Sequence, residues 1–396
     1  MRRFSAYALA AILFGSVLVM WSPYRWAVAG LQIGSFCLAA IWVVNLALPR
    51  STPRFNIVLI PLCATVLWPL GQLAFGDTVY RWQTWNSALY WGANLALFFA
   101  GLQTFDDERL RKRFLDALLI FGTLLSVISP LQMFTTNGKV FWLFQTEYDG
   151  DLLGPFVYRN QYAAFIETLL PVALWNGFTS GRNRVYYLLA AAVMYSSVIA
   201  SASRMGFALS TLELFLIPAL LAVREKVSAR NFTMPGGIFA AIVLISVAAA
   251  GPVKVWDRFH DNDIYAVRRE FTQSSLAMIR VRPLTGFGLG TWSTAYPGYA
   301  LFDDGNFANQ AHNDWAQWTV EGGLPFTAVM LWIAFWSVRG GFRTIWGLGP
   351  AIVFVHSFVD YPIQRIASAG ILFVLLSTTP YNSDKKEVTR KRVKNA

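Results

Sequence analysis

Residues 185–200, VYYLLAAAVMYSSVIA, and residues 204–223, RMGFALSTLELFLIPALLAV, are the apolar runs that decide the fold class of this chain. A helix that crosses the hydrocarbon core of a bilayer needs about 20 mostly apolar residues. Both runs are mostly apolar and close to this length, so both are typical of membrane-spanning helices. Only three residues separate them. Ten further apolar runs surround them, at residues 5–21, 27–48, 57–75, 84–102, 114–133, 160–178, 235–251, 313–338, 344–359 and 364–380.

The composition of the chain agrees with a membrane protein. Of its 396 residues 55% are hydrophobic and 14% are charged, whereas about 25% of the residues in soluble domains are charged. A soluble fold would have to bury more apolar surface than its volume offers. The formal net charge of +11 does not indicate nucleic-acid binding, because the basic residues are scattered between apolar runs rather than gathered on one face.

The positions of the basic residues predict the topology. Short basic segments recur after every second run, and such segments stay on the cytoplasmic side of a membrane. We therefore expect an all-α integral membrane protein of about twelve spans with both ends cytoplasmic and the first run retained as a span. The predicted divisions are spans 1–9 in residues 1–251, a periplasmic loop at 252–311, spans 10–12 in residues 312–380 and a basic tail at 381–396.

The predicted loop at 252–311 has a helical pattern of its own. Ile264, Val267, Phe271 and Met278 repeat at helical spacing, and basic residues flank this apolar stripe. The pattern predicts an interfacial amphipathic helix. Anionic lipid headgroups are one set of ligands for its arginines, and an anionic substrate is the other.

Two further motifs are excluded as functional sites. Residues 286–290 read GFGLG, but no strand precedes them, so a tight turn is favoured over a dinucleotide-binding loop. Cys37 and Cys63 lie within apolar runs and do not indicate a disulfide framework or a metal site.

Several polar residues are predicted at the periplasmic ends of spans. His312 stands at the start of the tenth span, where the positive helix end favours a neutral imidazole that can act as a base. A hydrogen-bonded cap or interfacial anchor is the alternative. Arg159 and Arg204 begin the sixth and eighth spans, either as snorkelling side chains or as a clamp whose guanidinium groups hold an anion.

The remaining ionisable candidates lie deeper. His356 and Asp360 are one helical turn apart, so one face of a helix could hold them in contact. Glu167, Glu213 and Glu321 lie within spans, where a carboxylate is costly unless it is protonated or paired. Each could pair with an arginine on the outer face, or relay protons if the protein is a transporter.

Six segments, in this order, resemble the O-antigen ligase and polymerase superfamily of bacterial inner-membrane proteins. They cover about 160–365 of the chain, and their order is more specific than any single motif. They are YRNQYAAF at 158–165, SASRMG at 201–206, the stretch from Arg268 to RPLTGFGLG at 282–290, AHNDW at 311–315, EGGLP at 321–325 and HSFVDYP at 356–362.

The resemblance implies a glycosyltransferase of the GT-C class that takes a glycan from undecaprenyl diphosphate in the periplasm. The resemblance also implies that the enzyme uses no cofactor and, as a ligase, no metal. The acceptor would be lipid A core for a ligase or a second lipid-linked glycan for a polymerase. By position His312 would be the catalytic base and Arg204 and Arg268 would hold the diphosphate, assisted by Arg159 and Arg282, with Arg269 as the alternative to Arg268. The supporting residues would be Asn160, Asp314, Glu321, His356 and Asp360.

A twelve-span transporter or a flippase for lipid-linked glycans is the alternative from another functional class. Buried carboxylates and the number of spans fit it. A transporter of the major facilitator type would show two similar halves and a long central cytoplasmic loop, whereas the long loop here is predicted to be periplasmic and late in the chain.

Overall fold

The computed structural model describes most of the chain as helix. The described residues are 1–48, 52–136, 138–146, 148, 152–181, 183–224, 233, 236–237, 239–244, 248, 264–302, 305 and 307–379. Within them, strand is confined to a two-residue antiparallel pair, Lys139–Val140 with Phe144–Gln145. The α-helices are α1 (Arg2–Leu18), α2 (Arg25–Leu46), α3 (Leu59–Phe75), α4 (Arg81–Thr104), α5 (Glu108–Thr135), α6 (Arg159–Thr179), α7 (Arg184–Ser201), α8 (Arg204–Arg224), α9 (Ile264–Val281), α10 (Trp292–Ala295), α11 (Asp314–Arg343), α12 (Leu348–His356) and α13 (Ile366–Ser377).

Several helices have the dimensions of membrane spans. Among the described residues five are long and apolar enough to cross a bilayer, namely Arg25–Leu46, Glu108–Thr135, Arg184–Ser201, Arg204–Arg224 and Asp314–Phe342. Large apolar side chains such as Phe75, Phe215 and Val223 are exposed, as a lipid-facing surface requires. The structure therefore confirms a mostly helical protein with membrane-type helices, and the count of twelve spans stays a prediction.

The last two predicted spans differ most from the expectation. In place of 344–359 and 364–380 the chain forms helices α12 and α13 of 9 and 12 residues, about 14 and 18 Å long at 1.5 Å per residue. Each helix is therefore shorter than the hydrocarbon core of a bilayer, which is about 30 Å thick. The helical path breaks after His356, where the chain turns through a loop to a short 3-10 helix at Pro362–Gln364.

Helix α6 is the central helix of the bundle. Nearly every residue from Asn160 to Leu174 is buried, and the helix packs against α5, α7, α8 and α12. Because protein rather than lipid surrounds it, α6 can carry Asn160, Gln161 and Glu167 in its interior positions.

The segment predicted as a loop contains the expected helix, α9. Its apolar stripe faces protein, since Phe271 and Met278 are buried in a cluster with Trp292, Tyr296 and Ala311, and α9 packs against α11. The periplasmic position of this segment stays a prediction. Of the predicted ninth span at 235–251, the structure describes residues 236–237, 239–244 and 248, all of them helical. The predicted basic tail at 381–396 lies outside the described residues.

Candidate functional site

Helices α6 and α8 begin side by side, and an arginine is the first residue of each. Helix α7 ends at Ser201, and Ala202 then adopts a left-handed conformation with φ of 52° that turns the chain into α8. Gly206 allows the two helices to approach closely, since a Cβ atom there would lie 2.4 Å from that of Ala163. This packing places Arg159 and Arg204 at the same end of the bundle.

Three predicted arginines line one cavity. It has a volume of about 240 Å³ and is called the arginine cavity below. Arg159 and Asn160 come from α6, Arg204 from α8 and Arg268 from α9. Its lining residues are Arg159, Asn160, Ala202, Arg204, Met205, Ala208, Arg268 and Val359.

Arg268 reaches from α9 to the rim of this cavity. Its NH2 group donates to the Tyr158 hydroxyl at 3.0 Å and to Oδ2 of Asp360 at 3.3 Å. Its Nε atom is buried and has no hydrogen-bond partner among the described residues. Two hydrogen bonds therefore hold one end of the guanidinium group, whereas the Nε–H donor is unused among the described residues.

Asp360 connects the arginine cavity to His312. Its Oδ2 accepts from the side-chain amide nitrogen of Asn160 as well as from Arg268. The side-chain oxygen of Asn160 accepts from the Ser203 hydroxyl at 2.7 Å. Its Oδ1 accepts from the backbone N–H of Tyr361 at 2.8 Å and lies 3.8 Å from Nδ1 of His312. One carboxylate oxygen of Asp360 thus faces the arginine cavity, and the other faces His312.

His312 lies just before α11 in a small aromatic box. The rings of Tyr158, Phe271 and Tyr361 surround it, with ring centroids 5.6, 6.0 and 4.9 Å from that of the imidazole. Its backbone is left-handed, with φ of 51°, and the next residue, Asn313, caps α11 by accepting from the N–H of Ala316. His312 therefore stands outside the helix, with its ring turned towards Asp360.

The surroundings of His312 favour its neutral form. Burial lowers the pKa of the imidazole below the usual value and the nearby Arg268 lowers it further, whereas the charge of Asp360 raises it. Burial also raises the pKa of the neighbouring Tyr158 hydroxyl to about 12. The site at neutral pH thus presents an uncharged imidazole and an uncharged phenol beside a charged guanidinium group.

Asp314, predicted as a supporting residue, binds the loop that carries Asp360. Its carboxylate accepts from the Ser357 hydroxyl at 3.0 Å, the N–H of Ile363 at 3.1 Å and the Gln364 amide at 3.0 Å. Its own N–H donates to the carbonyl oxygens of Ser357 and Asp360. Asp314 therefore fixes the loop that carries Asp360 against the start of α11.

Glu321 holds the glycine segment, and among the described residues it pairs with no arginine. Its carboxylate accepts from the N–H groups of Gly290 and Trp292 at 2.9 and 3.0 Å and from the Gln317 amide. The segment 286–290 is a turn in which all three glycines have positive φ. At Gly288 a Cβ atom would lie 2.2 Å from the Thr78 hydroxyl, so this turn packs tightly on the start of α4.

The expected contact between the side chains of His356 and Asp360 is wrong. Helix α12 ends at His356, so the two residues do not share a helix face. The His356 ring contacts Glu167 on α6, and Asp360 points to Arg268. Glu167 and Glu321 thus have partners other than arginine, and both carboxyl oxygens of Glu213 are buried without a hydrogen-bond partner among the described residues.

Two predicted arginines lie outside the arginine cavity. Arg269 is exposed, although it is adjacent to Arg268. Arg282 is also exposed, and its guanidinium group lies over the Phe287 ring at 5.1 Å from the centroid. Of the two adjacent arginines, Arg268 lines the cavity and contacts Asp360, whereas Arg269 does not line the cavity.

Sequence reasoning missed three residues of the site. Tyr158 and Tyr361 form two sides of the box around His312, and Ser203 orients Asn160. All three stand in or beside the segments that carry the family resemblance, next to arginines or to Asp360. Their hydroxyl groups in otherwise apolar surroundings were the available signal.

The site combines a neutral imidazole with three arginines that line one cavity. Within the described part of the chain no group of three His, Cys, Asp or Glu side chains is arranged to hold a metal ion. Hydrogen-bond donors that face a cavity can stabilise negative charge on a leaving group, and an imidazole oriented by a carboxylate can accept a proton from a nucleophile.

Comparison with known proteins finds one family match. No curated protein matches the chain. A family model described as O-Antigen ligase matches residues 188–331, which include Arg204, Arg268 and His312. Together with the apolar helices, this match supports a membrane protein of the O-antigen ligase type and, in general terms, a glycosyltransferase. It confirms that the chain resembles the O-antigen ligase and polymerase superfamily.

Proposed function

We propose that the protein transfers a glycan from undecaprenyl diphosphate to an acceptor sugar on the periplasmic side of the bacterial inner membrane. The observation that carries the proposal is the position of His312, 3.8 Å from Asp360, which in turn binds Arg268 at the edge of the arginine cavity. One carboxylate thus lies between the proposed base and one of the three arginines of the cavity.

The arginine cavity is assigned to the diphosphate of the donor. Planar guanidinium groups bind phosphate oxygens in pairs, and Arg159, Arg204 and Arg268 come to this cavity from three different helices. Negative charge grows on the diphosphate as its bond to the sugar breaks, so cations already in place stabilise the transition state more than the bound donor.

His312 is assigned to the acceptor. Its neutral imidazole takes the proton of the acceptor hydroxyl while the hydroxyl oxygen attacks the anomeric carbon, and the diphosphate leaves from the opposite face. The charge of Asp360, 3.8 Å away, stabilises the imidazolium that forms, as a carboxylate does for other catalytic histidines. A single displacement of this kind inverts the configuration at the anomeric carbon.

The activity is tested with a radiolabelled undecaprenyl-diphosphate glycan and purified protein. One reaction contains lipid A core as the acceptor and a second contains only further donor. Label on lipid A core identifies a ligase, and lengthening of the lipid-linked glycan identifies a polymerase. Recovery of the labelled donor chemically unchanged from both reactions contradicts the proposal.

A transport function predicts a different result from the same material. In sealed vesicles a flippase moves the labelled donor between the two leaflets and leaves it chemically unchanged. Movement of the donor without formation of a new glycosidic bond would therefore favour the transport alternative.

A further inference from the structure

Helix α12 carries a single polar side chain, and this side chain stands at the end of the helix. Residues 348–356 read LGPAIVFVH, so His356 alone can make a directional side-chain contact. Gly349 lets the start of α12 pack closely on α6, because a Cβ atom there would lie 2.3 Å from the Thr168 carbonyl oxygen. Apolar packing is not directional. The rotation of the helix end therefore depends on the contact that His356 makes.

His356 makes this contact with Glu167 on α6. Nδ1 of His356 lies 3.0 and 2.9 Å from the two carboxylate oxygens, and both side chains are fully buried. A hydrogen bond between a ring nitrogen and a carboxylate has a preferred distance and angle, so the pair fixes the end of α12 on α6. Ionisable groups at such positions are costly in a membrane protein, and apolar residues of similar volume often stabilise a fold as well or better. Stability alone therefore does not account for the pair.

The backbone from His356 to Asp360 continues the hydrogen bonding of the helix. The N–H group of Ser357 donates to the carbonyl oxygen of Val353 at 2.9 Å. Those of Val359 and Asp360 donate to the carbonyl oxygen of His356 at 3.0 and 3.2 Å. A shift or rotation at His356 is therefore passed on to Asp360.

One face of α6 binds both ends of this five-residue segment. Asn160 and Glu167 are seven residues apart, which is close to two helical turns, so they lie on the same face. Glu167 contacts His356, and the side-chain amide nitrogen of Asn160 donates to Oδ2 of Asp360. On its other side Asp360 contacts Arg268 at 3.3 Å. The segment is thus held on α6 by its first and last residues.

We propose that Glu167 and His356 are positioning residues that set the place of Asp360 between the arginine cavity and His312. Neither residue lines the cavity, so both act on the reaction through the Asp360 carboxylate. A misplacement of about 1 Å in an active site can cost about 10²-fold in rate, even when the change is remote from the chemistry. The inference rests on the proposed function, because glycan transfer is the reaction that the place of Asp360 affects.

The test replaces the pair by two leucines, Glu167→Leu together with His356→Leu. This double-leucine variant leaves no buried charge unpaired, so its thermal stability in detergent should equal or exceed that of the wild type. Its transfer rate should nevertheless fall by roughly 10- to 100-fold, because the end of α12 is no longer fixed and Asp360 is displaced. Glu167→Gln keeps an acceptor for the Nδ1–H of His356 and should retain most of the transfer.

The pH profile shows whether the loss acts through Asp360. The charged and titratable groups around His312 are Asp360, Arg268, Tyr158 and Tyr361, and the charge of Asp360 raises the pKa of the imidazole. The double-leucine variant should therefore move the midpoint of the rate profile to lower pH, as Asp360→Asn does. Adding the two leucines to Asp360→Asn should cause little further loss, because changes that act through one residue are not additive.

Glu213→Met is the matched control. It removes another buried carboxylate, whose oxygens have no hydrogen-bond partner among the described residues, so transfer and midpoint should match the wild type. The inference is overturned, with the proposed function left in place, if the double-leucine variant fails to fold, keeps the wild-type rate or midpoint, or loses activity in multiplication with Asp360→Asn. An equal loss in Glu167→Gln overturns it as well. Absence of transfer by the wild type overturns both the proposed function and the inference.

Discussion

Nδ1 of His312 lies 3.8 Å from Oδ1 of Asp360, although 47 residues separate the two in sequence and different elements carry them. His312 precedes α11, and Asp360 stands in the loop between α12 and α13. Asp314, two residues after His312, joins the two elements. Its carboxylate accepts from Ser357 and Ile363 in the 357–364 loop, and its backbone N–H donates to carbonyl oxygens of the same loop. One local set of hydrogen bonds therefore fixes the loop that carries Asp360 against the start of α11, beside His312.

The pH dependence of transfer tests the surroundings of His312. Only the neutral imidazole accepts the hydroxyl proton, so the rate at saturating donor rises as pH increases through the pKa of His312. Burial lowers this pKa, so the midpoint of the rise is expected below the usual imidazole value of about 6.5.

Two variants should move this midpoint in opposite directions. Asp360→Asn removes a negative charge that favours the imidazolium, so the midpoint shifts to lower pH. Arg268→Gln removes a positive charge that opposes the imidazolium, so the midpoint shifts to higher pH. Rate profiles of the two variants beside the wild type give the measurement, and shifts of the same sign in both would contradict the geometry.

Arg268 and Arg269 provide a matched pair for the diphosphate site. Arg268→Ala should weaken donor binding by about 10- to 100-fold, because it removes charge-assisted hydrogen bonds worth roughly 1.5–3 kcal/mol. Arg269→Ala removes the same charge from the same helix but at an exposed position, so binding should stay close to that of the wild type. Donor affinity is measured by titration with the labelled lipid, and equal losses in both variants would show that net charge alone matters.

The sequence predicted the membrane-type helices and the segments that contain the site. Arg159, Arg204 and Arg268 could be grouped because each stands at a helix end or on an amphipathic helix that the hydropathy pattern places on one side. The link between His312 and Asp360 could not be found, because it depends on where α12 ends. Residues 344–359 are mostly apolar, so hydropathy extends the helix past its end at His356 and places the His356 ring beside Asp360 instead of Glu167.

Buried carboxylates test the interior of the bundle through stability. Both oxygens of Glu213 are buried without a partner in the described part of the chain, so Glu213→Met should maintain or increase the free energy of unfolding, by about 1 kcal/mol or more. Glu167→Met should lower it, because His356 would lose its partner. Thermal unfolding of the two variants in the same detergent gives the comparison, and destabilisation of similar size in both would contradict the difference in pairing.

The central claim is that His312 is the base, and His312→Ala tests it most directly. The protein is purified in the same detergent as the wild type, its thermal stability is compared, and both donor binding and the initial rate of glycan transfer are measured. A general base contributes about 10² to 10⁴ in rate, so transfer should fall by that factor while donor binding, which depends on the arginines, persists. A stable His312→Ala protein that still transfers glycan at more than roughly a tenth of the wild-type rate would contradict the account.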